Sequence, residues 1–197
     1  MAEAVFRARV EEAGLDELVA VDSAGTGGWH EGDGADPRTV AVLRAAGYEE
    51  DHVARQFQAE WFDALDLVIA LDNGHLRALR RLAPTARDAA KVRLLRSYDA
   101  AVSAGSPASA VRLTGTAPSA EAPSGARSHD LDVPDPYYGG MAGFEACLEM
   151  VEAASVGLLA AVRAALDEEG APTGVQSAGG ARPDVGERPA AGEPSVA

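Results

Sequence analysis

A chain of 197 residues is long enough for one α/β domain with a proper core and some unstructured surplus. Its net charge of -14, from 17 basic and 31 acidic residues, argues against nucleic acid or an anionic membrane surface as partner, because both need concentrated positive charge. The single cysteine, Cys147, excludes an internal disulfide, and no apolar run is long enough to span a bilayer. The start, Met1 to Arg7, has neither a basic opening nor an apolar signal core, so a cytoplasmic protein is expected.

Residues 2 to 14 read as an amphipathic helix: Ala2, Val5, Phe6 and Val10 share a face, Glu3 and Arg7 stand one turn apart, and Gly14 stops it. Leu18 to Val21 predicts a short strand that ends in the loop Asp22-Ser23-Ala24-Gly25-Thr26-Gly27-Gly28. Asp36-Pro37 opens a second helix with Asp as cap and Pro at the first helical position; Val40 and Leu43 supply its buried face and Gly47 its end. The continuous apolar run Leu67 to Leu71 is the pattern of a parallel strand buried on both faces. A helix with Leu76, Leu79 and Leu82 follows, then a strand from Val92 to Leu95. The last helix, about Gly143 to Leu166, repeats apolar residues at Phe144, Leu148, Val151, Leu158, Val162 and Leu166. Strands alternating with helices of this length predict βαβ units and a parallel sheet.

Two segments do not fit a core. Residues 101–130 hold 22 Ala, Ser, Gly, Pro or Thr out of 30, and residues 170–197 hold 16 Gly, Ala or Pro out of 28, with no aromatic in either. Such stretches cannot bury enough to offset the entropy of ordering. The expected organisation is therefore an α/β domain over residues 1–166 with a flexible insertion at 101–130, followed by a disordered acidic tail over 167–197.

The blocks Ala2-Glu3-Ala4-Val5-Phe6-Arg7, Asp22-Ser23-Ala24-Gly25-Thr26 and Asp36-Pro37-Arg38 come in a recognisable order. His52-Val53-Ala54-Arg55-Gln56-Phe57, Leu71-Asp72 and Leu94-Leu95-Arg96-Ser97-Tyr98-Asp99 continue it, and Asp132-Val133-Pro134-Asp135-Pro136-Tyr137-Tyr138-Gly139-Gly140 is the most specific. In order and spacing the chain resembles the low-molecular-weight protein tyrosine phosphatase family. The resemblance implies a three-layer, flavodoxin-like sandwich with a four-stranded parallel sheet. It also implies a departure: family members open with a central strand and a Cys-(five residues)-Arg-Ser-Pro loop, and neither precedes Ala2-Glu3-Ala4 here. A gene start placed one in-frame Met too late, or a real deletion, would each give this sequence.

In this family a cysteine thiolate attacks phosphorus, an arginine of the same loop clamps the phosphoryl oxygens, and a separate aspartic acid protonates the departing phenol. The resemblance makes Asp135 that acid, where Asp-Pro would otherwise be read as a turn. It places Trp29 and Tyr137 as walls of a slot for a phosphotyrosine ring, with Tyr138 beside them. It assigns Ser23 and His52 to a network supporting the phosphate loop; Asp72, which ends the buried strand on the side where such sites form, is expected to assist His52. Cys147, mid-helix between Glu145 and Glu149 and with Ala153 six positions on, reads as a structural cysteine and not as the nucleophile. His30, His75 and His129 show no metal-ligand spacing, and no cofactor is expected.

The substrate class implied is a phosphotyrosine protein or small aryl phosphate, and the chain as it stands, without nucleophile or phosphate-binding Arg, is expected to be inactive. Two other readings stay open. One is a catalytically dead phosphatase-like interaction protein. The other is an arsenate-reductase-like member of the superfamily, which the Asp-Pro-Tyr-Tyr run disfavours because that chemistry has no phenol to protonate.

Overall fold

The computed structural model describes residues 1–103 and 131–170. Helix α1, Ala2–Glu12, buries Val5 and Val10, pairs Glu3 with Arg7, and is followed by Gly14 at φ +67°. Helix α2, Pro37–Ala45, starts as its sequence predicts: the Asp36 carboxylate accepts the Arg38 backbone N–H at 2.8 Å, and Pro37 takes the first turn, where no donor is missed. Its fully buried side chains are Val42 and Leu43, with Val40 half-buried.

Strand β1, Val68–Ala70, pairs in parallel with β2, Val92–Leu94, in the register Val68↔Val92, Ile69↔Arg93, Ala70↔Leu94. Helices α3, Asn73–Leu82, and α4, Ala86–Lys91, make the crossover between them. The side-chain period of two then sorts the apolar run. Leu67, Ile69 and Leu71 pack toward a cluster with Val5, Leu43, Phe144 and Val151, while Val68 and Ala70 join Phe62, Leu79 and Val92 on the other side. Helix α5 is the short Ala100–Ser103, and α6, Met141–Gly170, lies against α1 and α2. Thus α1, α2 and α6 cover one face of the sheet and α3 the other.

Two expectations need correction, and one helix is new. Leu18–Val21 is not a strand: Leu18 and Val19 donate to the Leu15 carbonyl in a turn, Leu18 is exposed, and the chain here pairs only later, through a single parallel bridge between Gly25 and Gln56. A β-type run becomes a strand only where a neighbour satisfies its backbone, and among the described residues the sheet has two strands. Helix α4 was not foreseen, because six residues are too short for a periodic signal. Its cap is local: Thr85 Oγ1 accepts the Asp88 N–H at 3.1 Å and donates to Asp88 Oδ2 at 2.6 Å. Helix α6 extends beyond both expected ends, since Asp167, Glu168 and Glu169 give no stop signal. The rest of the 101–130 insertion, and the tail from 171, lie outside the described residues. No helix among the described residues is long and apolar enough to cross a membrane.

Candidate active site

Most of the residues singled out in the sequence fall in two places, the N-terminal end of α1 and the run Asp132 to Gly139 ahead of α6. At the first, the Ser23 hydroxyl donates to Glu3 Oε2 and lies 3.4 Å from His52 Nδ1, which is itself 3.3 Å from the same Glu3 oxygen. Ser23 and His52, expected to act together, are therefore joined by Glu3, whose sequence reading stopped at its pairing with Arg7. Burial alone would push the Glu3 carboxyl up, but the Ser23 hydrogen bond, the Arg7 charge and His52 together hold it below the usual carboxylate value. The segment carrying Ser23 is fixed from behind by Arg55, which donates to the Ser23 carbonyl at 3.2 Å, pairs with Asp22, and stacks on Trp61.

The second place is the run Asp132 to Gly139. Its base is tied to the core: the Val133 N–H donates to the Leu71 carbonyl at 2.8 Å, and Arg96 Nη1 donates to the Asp132 carbonyl at 3.1 Å. The Asp132 carboxylate accepts from the backbone N–H and side-chain amide of Asn73, at 2.8 and 2.7 Å, and so satisfies a donor of the first turn of α3. Asp135, by contrast, is exposed, and among the described residues its Oδ1 accepts a local bond from the Tyr137 N–H at 3.0 Å. The two aspartates of the motif thus differ in kind: one carboxylate is engaged with a helix, the other faces solvent.

Charge links the two places. The Met1 amine lies close enough to Glu3, Cys147 and Glu50 to feel them, although burial pushes its pKa down. Cys147 is half-buried on α6. Burial pushes its thiol up; the Met1 amine works against that and the Asp135 carboxylate with it. A thiol raised in this way carries little thiolate, so its environment is the reverse of a nucleophile's.

The aromatic residues are largely in water. Trp29 is 88% exposed and its ring lies over Gly27, where a Cβ would come within 1.8 Å of ring carbon Cζ3. Tyr137 and Tyr138 are 52% and 95% exposed and meet edge to face at 5.1 Å. Among the described residues no ring contact joins Trp29 to either tyrosine. Asp72 does not reach His52. Its Oδ1 accepts the His75 N–H at 2.7 Å as the cap of α3, and its Oδ2 lies 2.6 Å from His75 Nδ1. Sequence position correctly put it at the end of β1, but a residue that caps the next helix spends its carboxylate there.

Reasoning from the sequence also missed Arg38. Its guanidinium bonds Asp36 through Nε and Nη2, and donates from Nη1 to the Gly139 carbonyl and from Nη2 to the Tyr137 carbonyl, each at 3.1 Å. Nothing local could have shown this, because the partners are about a hundred residues apart in the chain. No group of three or more His, Cys, Asp or Glu suited to a metal occurs among the described residues.

A parallel sheet with helices on both faces, and polar loops gathered where β1 ends, define an α/β protein of the kind whose site lies beyond the carboxyl ends of the strands. Comparison with known proteins narrows this. The model of the family described as low molecular weight phosphotyrosine protein phosphatase matches residues 1–107 and 123–171. A low molecular weight protein-tyrosine-phosphatase of Streptomyces coelicolor is 69% identical over 163 residues, covering 83% of this chain and 85% of that protein. The low molecular weight protein-tyrosine phosphatase A of Mycobacterium tuberculosis is 42% identical over 158 residues, covering 80% of each. Among solved structures, a protein tyrosine phosphatase of Entamoeba histolytica superposes with a TM-score of 0.65 at 26% identity, covering 83% of this chain and 87% of that one. YfkJ of Bacillus subtilis gives 0.62 at 28%, covering 83% and 85%. The chain belongs to the low molecular weight phosphotyrosine protein phosphatase family.

Proposed function

We propose that this fold is a scaffold for hydrolysis of phosphotyrosine through a cysteinyl-phosphate intermediate, with Asp135 as the general acid. In such a reaction a thiolate displaces the phenol from phosphorus, the acid's proton goes to the departing phenol oxygen, and water then hydrolyses the thiophosphate. The observation that carries the assignment is the contrast between the two aspartates: Asp132 is held by Asn73, and Asp135 stands exposed in a loop tied at both ends. Trp29 and Tyr137 would flank the substrate ring, with Tyr138 at the rim. Ser23 and His52 would steady the phosphate-binding turn through Glu3. On this reading a four-stranded sheet needs a strand beside the open edge of β1.

The same reading makes the 197-residue polypeptide catalytically silent. Its sole sulfhydryl is Cys147, on α6 with a raised pKa, and no arginine stands six residues after it. The test is p-nitrophenyl phosphate turnover. The chain as it stands should give none above background, and joining a Cys-(five residues)-Arg segment ahead of Met1 should restore it. In the restored enzyme Asp135→Ala should slow cleavage of esters with poor leaving groups by about 10²- to 10⁴-fold, the usual worth of a positioned acid. Full activity after Asp135→Ala would overturn the assignment, and no turnover after restoration would leave the reading of an interaction protein.

A further inference from the structure

We propose that Arg38 is the positioning residue of the 135–139 loop, a guanidinium clamp that ties the tip of the loop bearing Asp135 to the start of α2. The word "acid" for this loop rests on the phosphatase reading above; the clamp itself does not. Its geometry uses all three guanidinium nitrogens. Nε at 3.0 Å and Nη2 at 2.8 Å grip the two oxygens of Asp36, the residue that also caps α2, so the guanidinium plane is set by a helix terminus. The remaining donors then point at two carbonyls of the loop, Tyr137 and Gly139, each at 3.1 Å. The flat cation also lies over two rings, 4.5 Å from the centroid of Phe144 on α6 and 5.5 Å from that of Tyr137.

These contacts place Arg38 at a junction of three elements. Arg38 belongs to the first turn of α2, where Asp36 holds its guanidinium; Phe144 joins it to the buried face of α6, and the two carbonyls join it to the loop. The base of the loop has separate anchors in Arg96, Asn73 and the Leu71 carbonyl, so without Arg38 the base should stay and the tip should swing. At the tip, the Gly139 N–H bond to the Pro136 carbonyl and the Tyr137 N–H bond to Asp135 are both local turns and do not attach the tip to the body. Arg38 therefore orients both the Asp135 carboxylate and the Tyr137 ring. A lysine cannot replace it, because a single ammonium cannot grip a carboxylate side-on and also reach two carbonyls.

The test uses the full chain and needs no catalysis. Amide hydrogen exchange at Tyr137–Gly139, and chymotrypsin cleavage after Tyr137 or Tyr138, are compared among the parent, Arg38→Ala, Arg38→Lys and Asp36→Asn. Loss of charge-assisted bonds to the loop should raise both rates about tenfold or more in Arg38→Ala, with little rescue by Arg38→Lys and a smaller rise in Asp36→Asn. Amides of Val92–Leu94 should exchange at unchanged rates. Loop rates within about twofold of the parent, full rescue by lysine, or equal acceleration in Val92–Leu94 would each overturn the proposal. Failure of the restored chain to hydrolyse p-nitrophenyl phosphate would refute the functional reading and leave the clamp standing.

Discussion

Replacing Gly157 with alanine should destabilise this protein, although the same change in most helices does the reverse. Gly157 lies in the interior of α6, where helix propensity alone favours alanine by about 1 kcal/mol. A Cβ on Gly157 would stand 2.0 Å from the Tyr98 carbonyl oxygen, 3.1 Å from its carbonyl carbon and 3.5 Å from its Cβ. The first of these is backbone and cannot rotate away. Restoring an ordinary contact requires α6 and the 3-10 turn Leu95–Tyr98 to separate by more than about 1 Å, in an interior packed without slack. Both sides are core: Leu95, Tyr98, Ala154 and Leu158 are buried. Overpacking costs about 1–3 kcal/mol, and a clash this deep belongs at the upper end, so the net loss after the propensity gain is about 2 kcal/mol. For a domain of this size that lowers Tm by roughly 4–8 °C. The control is Gly143→Ala, also on α6, where the added Cβ would stand 3.5 Å from Pro136 Cβ and 3.9 Å from its Cα, both ordinary contacts, so stability should hold or rise. Thermal denaturation by circular dichroism decides it: Gly157→Ala melting at or above the parent temperature would refute the packing argument. The turn also carries Arg96, which holds the Asp132 carbonyl, so the same variant should loosen the base of the 132–139 loop.

Three other outcomes are expected. Asp132→Ala should lower stability by about 1–3 kcal/mol, because it removes the carboxylate that accepts from both the backbone N–H and the side-chain amide of Asn73, whereas Asp135→Ala should stay within about 0.5 kcal/mol of the parent in denaturant titrations. Arg38 holds the Asp36 carboxyl down to about 2, so this cap contributes fully above its unfolded value near 3.8 and is lost as pH falls toward 2. Acid unfolding followed between pH 4 and 2 should accordingly be shallower in Asp36→Asn than in the parent; identical profiles would contradict this. Gly27→Ala should displace the Trp29 ring, since the new Cβ would fall inside it, and should change tryptophan fluorescence and quenching by acrylamide without shifting Tm by more than a degree or two.

Most of the helices and both strands were legible because their signals are local. Asp36-Pro37 names its own helix start, and the run around Val68–Ala70 carries the length and composition of a doubly covered strand. Leu18–Val21 misled because its composition suits a strand but strand formation belongs to a pair, and its local bonds close a turn instead. For the site, sequence order brought Ser23, His52 and Asp135 forward through resemblance, and chain position alone could not separate Asp72 from a role beside His52. Only folding showed that Asp72 faces His75, that Asp132 is engaged by Asn73, and that Glu3 lies between Ser23 and His52.

By itself, then, the amino-acid order determined which segments could be helices or buried strands, which family the chain resembles, and that Cys147 sits where a thiol stays protonated. Tertiary structure decided which groups meet: Arg38 with carbonyls about a hundred residues away, Gly157 with Tyr98, Glu3 with two partners from separate loops. The reason is range. Periodicity, caps and turns are settled by neighbours a few residues apart, whereas a hydrogen bond across a hundred residues exists only once the core has brought its ends together.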